Sequence, residues 1–286
     1  MEASFALEIF INGLSLSFTY ALIAIGLTLV CGVLRVLNFA HGELLMVGGY
    51  IVWSVFAVNG MPFPVALIAA MSFVAGMAVA IDRGLFRPTR EDPFRGFILS
   101  LGLVYVLQVA ALLIFGSISK SLPLALPGQI QVLGIFISIQ RIIVIPVIAS
   151  VIIGVWMFLE RTKFGRAIRA CIQDSEAAAL QGISRNRMSA IVMAMAGGLA
   201  GLAGGILSQT IAVGPYFGTA IILKAFIVVI VGGMGSVGGT LVASFIFGFL
   251  DSGFTVLINP RITILVNVLV LLVILAFRPR GLFGRD

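Results

Sequence analysis

Residues able to do chemistry are scarce in this sequence and fall into four groups. The first is Asn38, His41, Gly42 and Glu43, inside Arg35-Val36-Leu37-Asn38-Phe39-Ala40-His41-Gly42-Glu43. His41 is the only histidine, and an unperturbed imidazole titrates near neutral pH. At a broken helix it can satisfy freed backbone groups or gate, touch a substrate, or relay a proton. The second group is Gly232, Gly233, Gly235 and Ser236, in Gly232-Gly233-Met234-Gly235-Ser236-Val237-Gly238-Gly239. That run looks phosphate-friendly, but no Lys-Ser/Thr follows, so it is not a Walker A loop and supplies no ATP site. The third is Lys224 and Asp251, two ionisable residues within apolar stretches. The fourth is the polar, basic run 160–187, with Gly165, Arg166, Arg169, Asp174, Glu176, Ala177, Ala178 and Gly182. No nucleophile–base set and no cluster of metal ligands accompanies the single histidine, so the sequence does not read as an enzyme.

These groups sit in an oily chain. Of its 286 residues 60% are hydrophobic and only 10% charged, less than half the charge of an ordinary soluble domain. Mean hydropathy is +1.20. Several runs approach the roughly 20 apolar residues that cross a bilayer, and the 33 glycines suit closely packed membrane helices. The expected fold is an all-α polytopic transmembrane helical bundle of about eight or nine membrane segments, forming one domain over 1–286. The opening MEASFALEIF carries no Lys or Arg, so it reads as a retained first span rather than a secretory signal.

Nine spans are expected: 8–31, 43–58, 64–81, 96–116, 139–159, 188–210, 218–231, 240–258 and 262–277. Fourteen of the 18 Lys and Arg residues fall at Arg35, in 82–95, in 160–190 and in 278–285. That clustering is the positive-inside signature; it speaks for a membrane and against nucleic acid as the partner. It puts the N-terminus outside and the C-terminus in the cytoplasm. Cys31 and Cys171 then lie near the cytoplasmic side, where a disulfide is not expected. The outer loop 117–138 reads as a lid or a contact for an outside partner, and 129–139, rich in β-branched residues, as extended or a small hairpin.

Spans 43–58 and 218–231 are too short to cross as straight helices, at about 24 and 21 Å. Each adjoins one of the interruptions above. Such breaks are tolerated at depth only where protein or a wet cavity covers them, so the pair marks a translocation path or else two tight cytoplasmic turns. Lys224 lies about 9 Å inside its span and Asp251 about 10 Å inside the next, antiparallel one. Equal depth allows an ion pair, which would relieve the cost of a lone intramembrane charge; a direct hold on a substrate carboxylate is the other reading of Lys224. Gln108, Gln209 and Asn267 are single polar residues within spans, suited to interhelical hydrogen bonds.

Residues 160–187 form a longer connection than a membrane protein needs between two spans. Glu176-Ala177-Ala178, three residues, then Gly182 predicts a short helix with small faces, ended by a left-handed glycine. It reads as a docking surface; the plainer reading is a charged loop that sets orientation only.

Three longer stretches point to a family: GLTLVCGVLRVLNFAHGELLMVGGY (26–50), RTKFGRAIRACIQDSEAAALQGIS (161–184) and LKAFIVVIVGGMGSVGGTLVASFIFG (223–248), with the ending RPRGLFGR (278–285). Together they resemble the LivH branch of the branched-chain amino acid ABC importer permeases. The resemblance implies a bacterial or archaeal cytoplasmic-membrane subunit that pairs with a homologous LivM-like permease. It further implies two cytoplasmic ATPases, which carry the ATP and Mg, and a periplasmic or lipid-anchored binding protein. This chain itself would bind no cofactor. The coupling segment would map to 165–182. Relatives take branched-chain or other amino acids, urea or short amides, so cargo is open, as is a sugar. A stand-alone secondary transporter or channel is the rival of another class; it would want a midplane ion site and no long loop.

Overall fold

The computed structural model describes residues 2–132, 135–279 and 281–284. Positions 133–134 of the connection 117–138, and Arg280 and Arg285 of the ending, lie outside the described residues. Apolar composition drives the helices: α1 (Glu2–Leu34), α2 (His41–Val52), α3 (Phe63–Ile81), α4 (Pro93–Phe115), α5 (Ile139–Arg161), α6 (Lys163–Gln173), α7 (Ser175–Leu180), α8 (Arg185–Leu207), α9 (Phe217–Gly232), α10 (Val237–Leu257) and α11 (Pro260–Phe277). A π-helical turn, Trp53–Val58, prolongs α2. Among the described residues, seven helices are long and apolar enough to cross a membrane, and there are two shorter apolar ones, Phe217–Gly232 and Leu265–Phe277. Each expected span thus meets one helix.

Boundaries follow local chemistry. Asp92 caps α4 by accepting from the amides of Phe94 and Arg95, with Pro93 at the first helical position. Thr162, Ser184 and Ser236 cap α6, α8 and α10 through their hydroxyls. The region 129–139 is a hairpin of β1 (Gln129–Val132) and β2 (Ile135–Ser138), antiparallel with Gln129 opposite Ser138.

The chain partitions into two compact, discontinuous units: 1–28 with 124–155 and 224–286, and 29–123 with 156–223. In the first, α1 and α10 approach closely through small polar residues. Thr28 and Thr240 hydroxyls are 2.7 Å apart, and Ser252 donates to the Ile9 carbonyl at 2.8 Å. In the second, α8 presents the small-residue run 196–205, against which α2 and α3 pack. Val52, Ala66 and Ala70 form a core there with Phe56, Phe63 and Leu67 around it.

Both interruptions are shorter than expected. The first is non-helical only over 35–40, with Arg35 at φ 57°. His41, Gly42 and Glu43 already form the first turn of α2, because the Leu44 amide reaches the Ala40 carbonyl at 3.1 Å. The break is covered by protein: the Ser100 hydroxyl donates to the Leu37 carbonyl and accepts from the Phe39 amide. The second is a tight turn over 233–236, with Gly233 and Gly235 at positive φ. The C-terminal segment closes over it, as the amides of Leu282 and Phe283 donate to the carbonyls of Val231 and Gly232.

Candidate functional site: a buried polar seam, a charged quartet and a polar helix pair

The seam is built on α2, α4 and α9. Glu43 is buried, and its Oε1 accepts from Gln108 Nε2 at 2.9 Å and from Thr219 Oγ1 at 3.1 Å. Gln108 also donates to Thr219 Oγ1 at 2.8 Å, closing a triangle. Glycines make it possible. A Cβ on Gly42 would lie 2.7 Å from the Gly218 carbonyl oxygen, and one on Gly218 would strike the Gly42 carbonyl. Only two side-chain-free backbones approach this closely, which sets Thr219 against the carboxyl one residue on. His41 is buried in the same first turn of α2, and Asn38 is buried in the non-helical break that precedes it.

Gln108 lies seven residues before the end of α4, about 10 Å along the helix axis. The start of α9 therefore sits that deep, and 208–216 is a dipping, non-helical stretch. It is held by paired hydrogen bonds between Val213 and Lys120, at 2.7 and 2.9 Å. Beside it a cavity of about 240 Å³ is lined by Ser117, Ser119, Tyr216, Phe217 and Ala220, among others. The expected spans 188–210 and 218–231 leave 211–217 as the connection; the helix instead ends at Leu207, so the break also takes in 208–210, and Gly214-Pro215 punctuates it.

The charged quartet lies on α1, α9, α10 and α11. Lys224 Nζ and Asp251 Oδ2 form an ion pair, so the two residues of matched depth are brought together. Tyr20 joins both, donating to Asp251 Oδ2 at 2.5 Å and accepting from Lys224 at 2.9 Å. Asn267 donates to Asp251 Oδ1 at 2.6 Å. Tyr20 was not anticipated; its signal was a phenol within an apolar run, which usually needs a partner. Lys224→Met alone strands a buried carboxylate, a loss of about 3–5 kcal/mol. The thermal unfolding temperature of the purified protein should drop sharply, and an unchanged transition would show that the pair does not stabilise the fold.

The third feature is the pair α6–α7. α6 is a separate helix that the sequence did not resolve, although its face Gly165, Ile168, Cys171 is buried. Gly165 packs directly on the carbonyls of Phe158 and Leu159, and Arg169 pairs with Glu160 at 2.6 Å, so α6 is fastened to the end of α5. Arg166 is exposed. Asp174 caps α7, accepting from the amides of Glu176 at 2.9 Å and Ala177 at 3.0 Å. Ala178 is buried, whereas Glu176 and Ala177 are exposed, and Gly182 ends the turn at φ 80°. The apolar side chains of Leu180 and Phe164 stand 87% and 54% exposed on this otherwise polar element.

The amides of Ala177 and Glu176 hold the Asp174 carboxyl below its ordinary range. A depressed folded value means that the cap's contribution is full above the ordinary carboxylate range and fades as pH falls through the lower value. The helix should therefore keep its protection at neutral pH and lose it only below about pH 4. Hydrogen exchange at Glu176 and Ala177 reads this, and Asp174→Ala should speed it at neutral pH but make little difference below about pH 4.

A second knot, unforeseen in the sequence, ties the start of α8. Buried Asp82 takes Arg90 at 3.1 Å, Arg87 at 3.4 Å and the Ser189 hydroxyl, and Arg87 also donates to the Asn186 carbonyl.

Known proteins share this plan. The family model described as branched-chain amino acid transport system, permease component, matches residues 9–277. The chain is 32% identical to the high-affinity branched-chain amino acid transport system permease protein BraD of Pseudomonas aeruginosa, across 98% of this chain and 96% of the relative. It is 31% identical to LivH of Escherichia coli K12, across 96% and 94%, and 27% identical to the ribose import permease protein RbsC of that strain, across 83% and 74%. Among solved structures, PsaBC from Streptococcus pneumoniae in complex with Fab aligns at a TM-score of 0.55 and 15% identity over 99% of this chain and 98% of that one. At that identity the likeness concerns the fold.

Proposed function

The chain belongs to the branched-chain amino acid transport permease family, and on that premise we propose that it is the membrane subunit of an ATP-driven importer of branched-chain amino acids. It acts as one permease domain, with its N-terminus outside and its C-terminus in the cytoplasm. A homologous LivM-like permease completes the path, and a periplasmic or lipid-anchored binding protein delivers cargo. Two separate ATPase subunits hold the ATP and Mg; this chain holds neither and has no hydrolytic site of its own. Surrounding lipid meets the exposed apolar faces of α4, α5 and α11.

The observation that carries this reading is the apolar pair Phe164 and Leu180, exposed on a polar element fastened to the ends of two spans. A large, bare leucine amid charges is the kind of anchor that a partner's groove buries. Closure of the ATPases moves α6 and α7 together. α6 carries the motion to α5 through Gly165 and the Glu160–Arg169 pair. α7 hands it to α8, which packs on α2. α2 carries Glu43 and His41, so the stroke ends at the seam and rearranges the start of α9. Asn38, His41, Gly42 and Glu43 serve as gate or path there; Gly232, Gly233, Gly235 and Ser236 give the α9–α10 turn its own freedom to move.

Delegating power and capture to other subunits suits a path with few charges, since a zwitterion is costly to desolvate. The test is co-purification of ATPase subunits with this chain, followed by cross-linking from Leu180→Cys. A cross-link to the ATPase is expected. ATPase co-purification that is undiminished when 163–182 is masked by a bulky label would contradict the docking surface. A sugar cargo is the competing reading, favoured by the ribose relative; uptake of labelled ribose but not leucine would establish it.

A further inference from the structure

We propose that Lys224 is the residue that recognises the carboxylate of the cargo as it crosses, with Asp251 as its resting partner; this rests on the amino acid reading above. The quartet is lopsided. The side chain of Asp251 is 3% exposed, while that of Lys224 is 34% exposed. Asp251 uses both oxygens, one taking Tyr20 and Lys224 and the other Asn267. If the ammonium swings away, the carboxylate keeps the phenol and the amide. Lys224, by contrast, spends two of its three N–H donors on Tyr20 and Asp251, which leaves one for a visitor on the open side.

That open side cannot face lipid. Lys224 stands seven residues after Phe217 and eight before Gly232, roughly 10–12 Å from either end of α9. An ammonium at such depth faces a wet cavity or other protein. A lysine kept only to tie two helices would be as enclosed as its aspartate. An ammonium that is paired with a buried acid, bonded to a phenol and still partly open is instead a poised anion receptor. Its natural ligand is a carboxylate, bound by a charge-assisted hydrogen bond. Leucine, isoleucine and valine carry that group whatever their side chain; urea, amides and ribose do not. The device would thus accept the common end of all three amino acids while Asp251 repels a second anion.

The experiment uses the complete importer in proteoliposomes and measures labelled leucine uptake at saturating binding protein. Lys224→Met with Asp251→Asn removes the pair as a neutral unit, and Tyr20 and Asn267 still satisfy position 251. This double variant should assemble with the ATPases yet lose about tenfold or more of its uptake. Lys224→Arg, which keeps the charge, should stay within about threefold of wild type. Full uptake by the double variant would reduce the quartet to a helix tie and overturn the proposal. Failure of the double variant to assemble would also count against it, because the remaining bonds to position 251 are predicted to suffice. Wild-type transport of ribose or urea but not leucine would defeat the cargo reading and this inference with it, whereas leucine uptake surviving in the double variant defeats the inference alone.

Discussion

Gly204→Val should remove the folded permease, with a loss on the order of 3 kcal/mol or more. A Cβ at Gly204 would strike the Leu45 carbonyl oxygen and lie 2.7 Å from its carbon and 3.0 Å from its Cα. All three atoms are backbone, so no side-chain rotation relieves the clash. α2 would have to leave α8, and α2 carries His41, Gly42 and Glu43 within its first turn. The seam would be lost together with the packing. Gly76→Ala on α3 is the matched control, since an added Cβ there meets nothing within 4 Å. It should melt within about 0.5 kcal/mol of wild type. Thermal unfolding of both purified variants reads the difference, and equal transitions would refute the role given to the α2–α8 approach.

The second large effect is on coupling rather than folding. Gly182 sits at φ 80° and its amide donates to the Ala179 carbonyl at 2.9 Å. Proline locks φ near −65° and has no amide hydrogen, so Gly182→Pro should undo the end of α7. Nothing lies within 4 Å of an added Cβ at 182, so the membrane helices should persist. Leu180→Asp attacks the same element differently, placing a carboxylate where a partner would bury an anchor. Loss of such an anchor is worth about 2 kcal/mol or more, some thirtyfold in affinity. In importers assembled with either variant, the partner ATPases should hydrolyse ATP out of step with transport, with leucine uptake down about tenfold or more. Normal uptake in both would count against α7 as the docking surface.

Which parts of this were readable from the residues follows from the range of the forces involved. The nine apolar runs were legible because hydropathy is local and bilayer thickness sets a length. The Lys224–Asp251 pair was legible because a charge within an apolar run calls for a partner. The left-handed end of α7 at Gly182 followed from the same kind of local rule. The Glu43–Gln108–Thr219 triangle was not, because it needs α9 to begin deep within the bundle. The expected span starts at 218, next to the observed Phe217, but hydropathy does not say how deep that start lies. α6 was missed as a helix of its own because its basic residues drew the reading toward a loop, although Gly165, Ile168 and Cys171 recur at helical spacing. The bonds from Leu282 and Phe283 to α9 are long-range backbone pairing, which leaves no side-chain signature.

On the proposed function, force enters this chain through α6 and α7 from separate ATPases. The most direct measurement is labelled leucine uptake into proteoliposomes that hold the permease pair and binding protein, with and without the ATPase subunits and ATP. Uptake against a gradient should appear only when both are present, and should collapse in Leu180→Asp. Undiminished accumulation by the permease without any ATPase would contradict it.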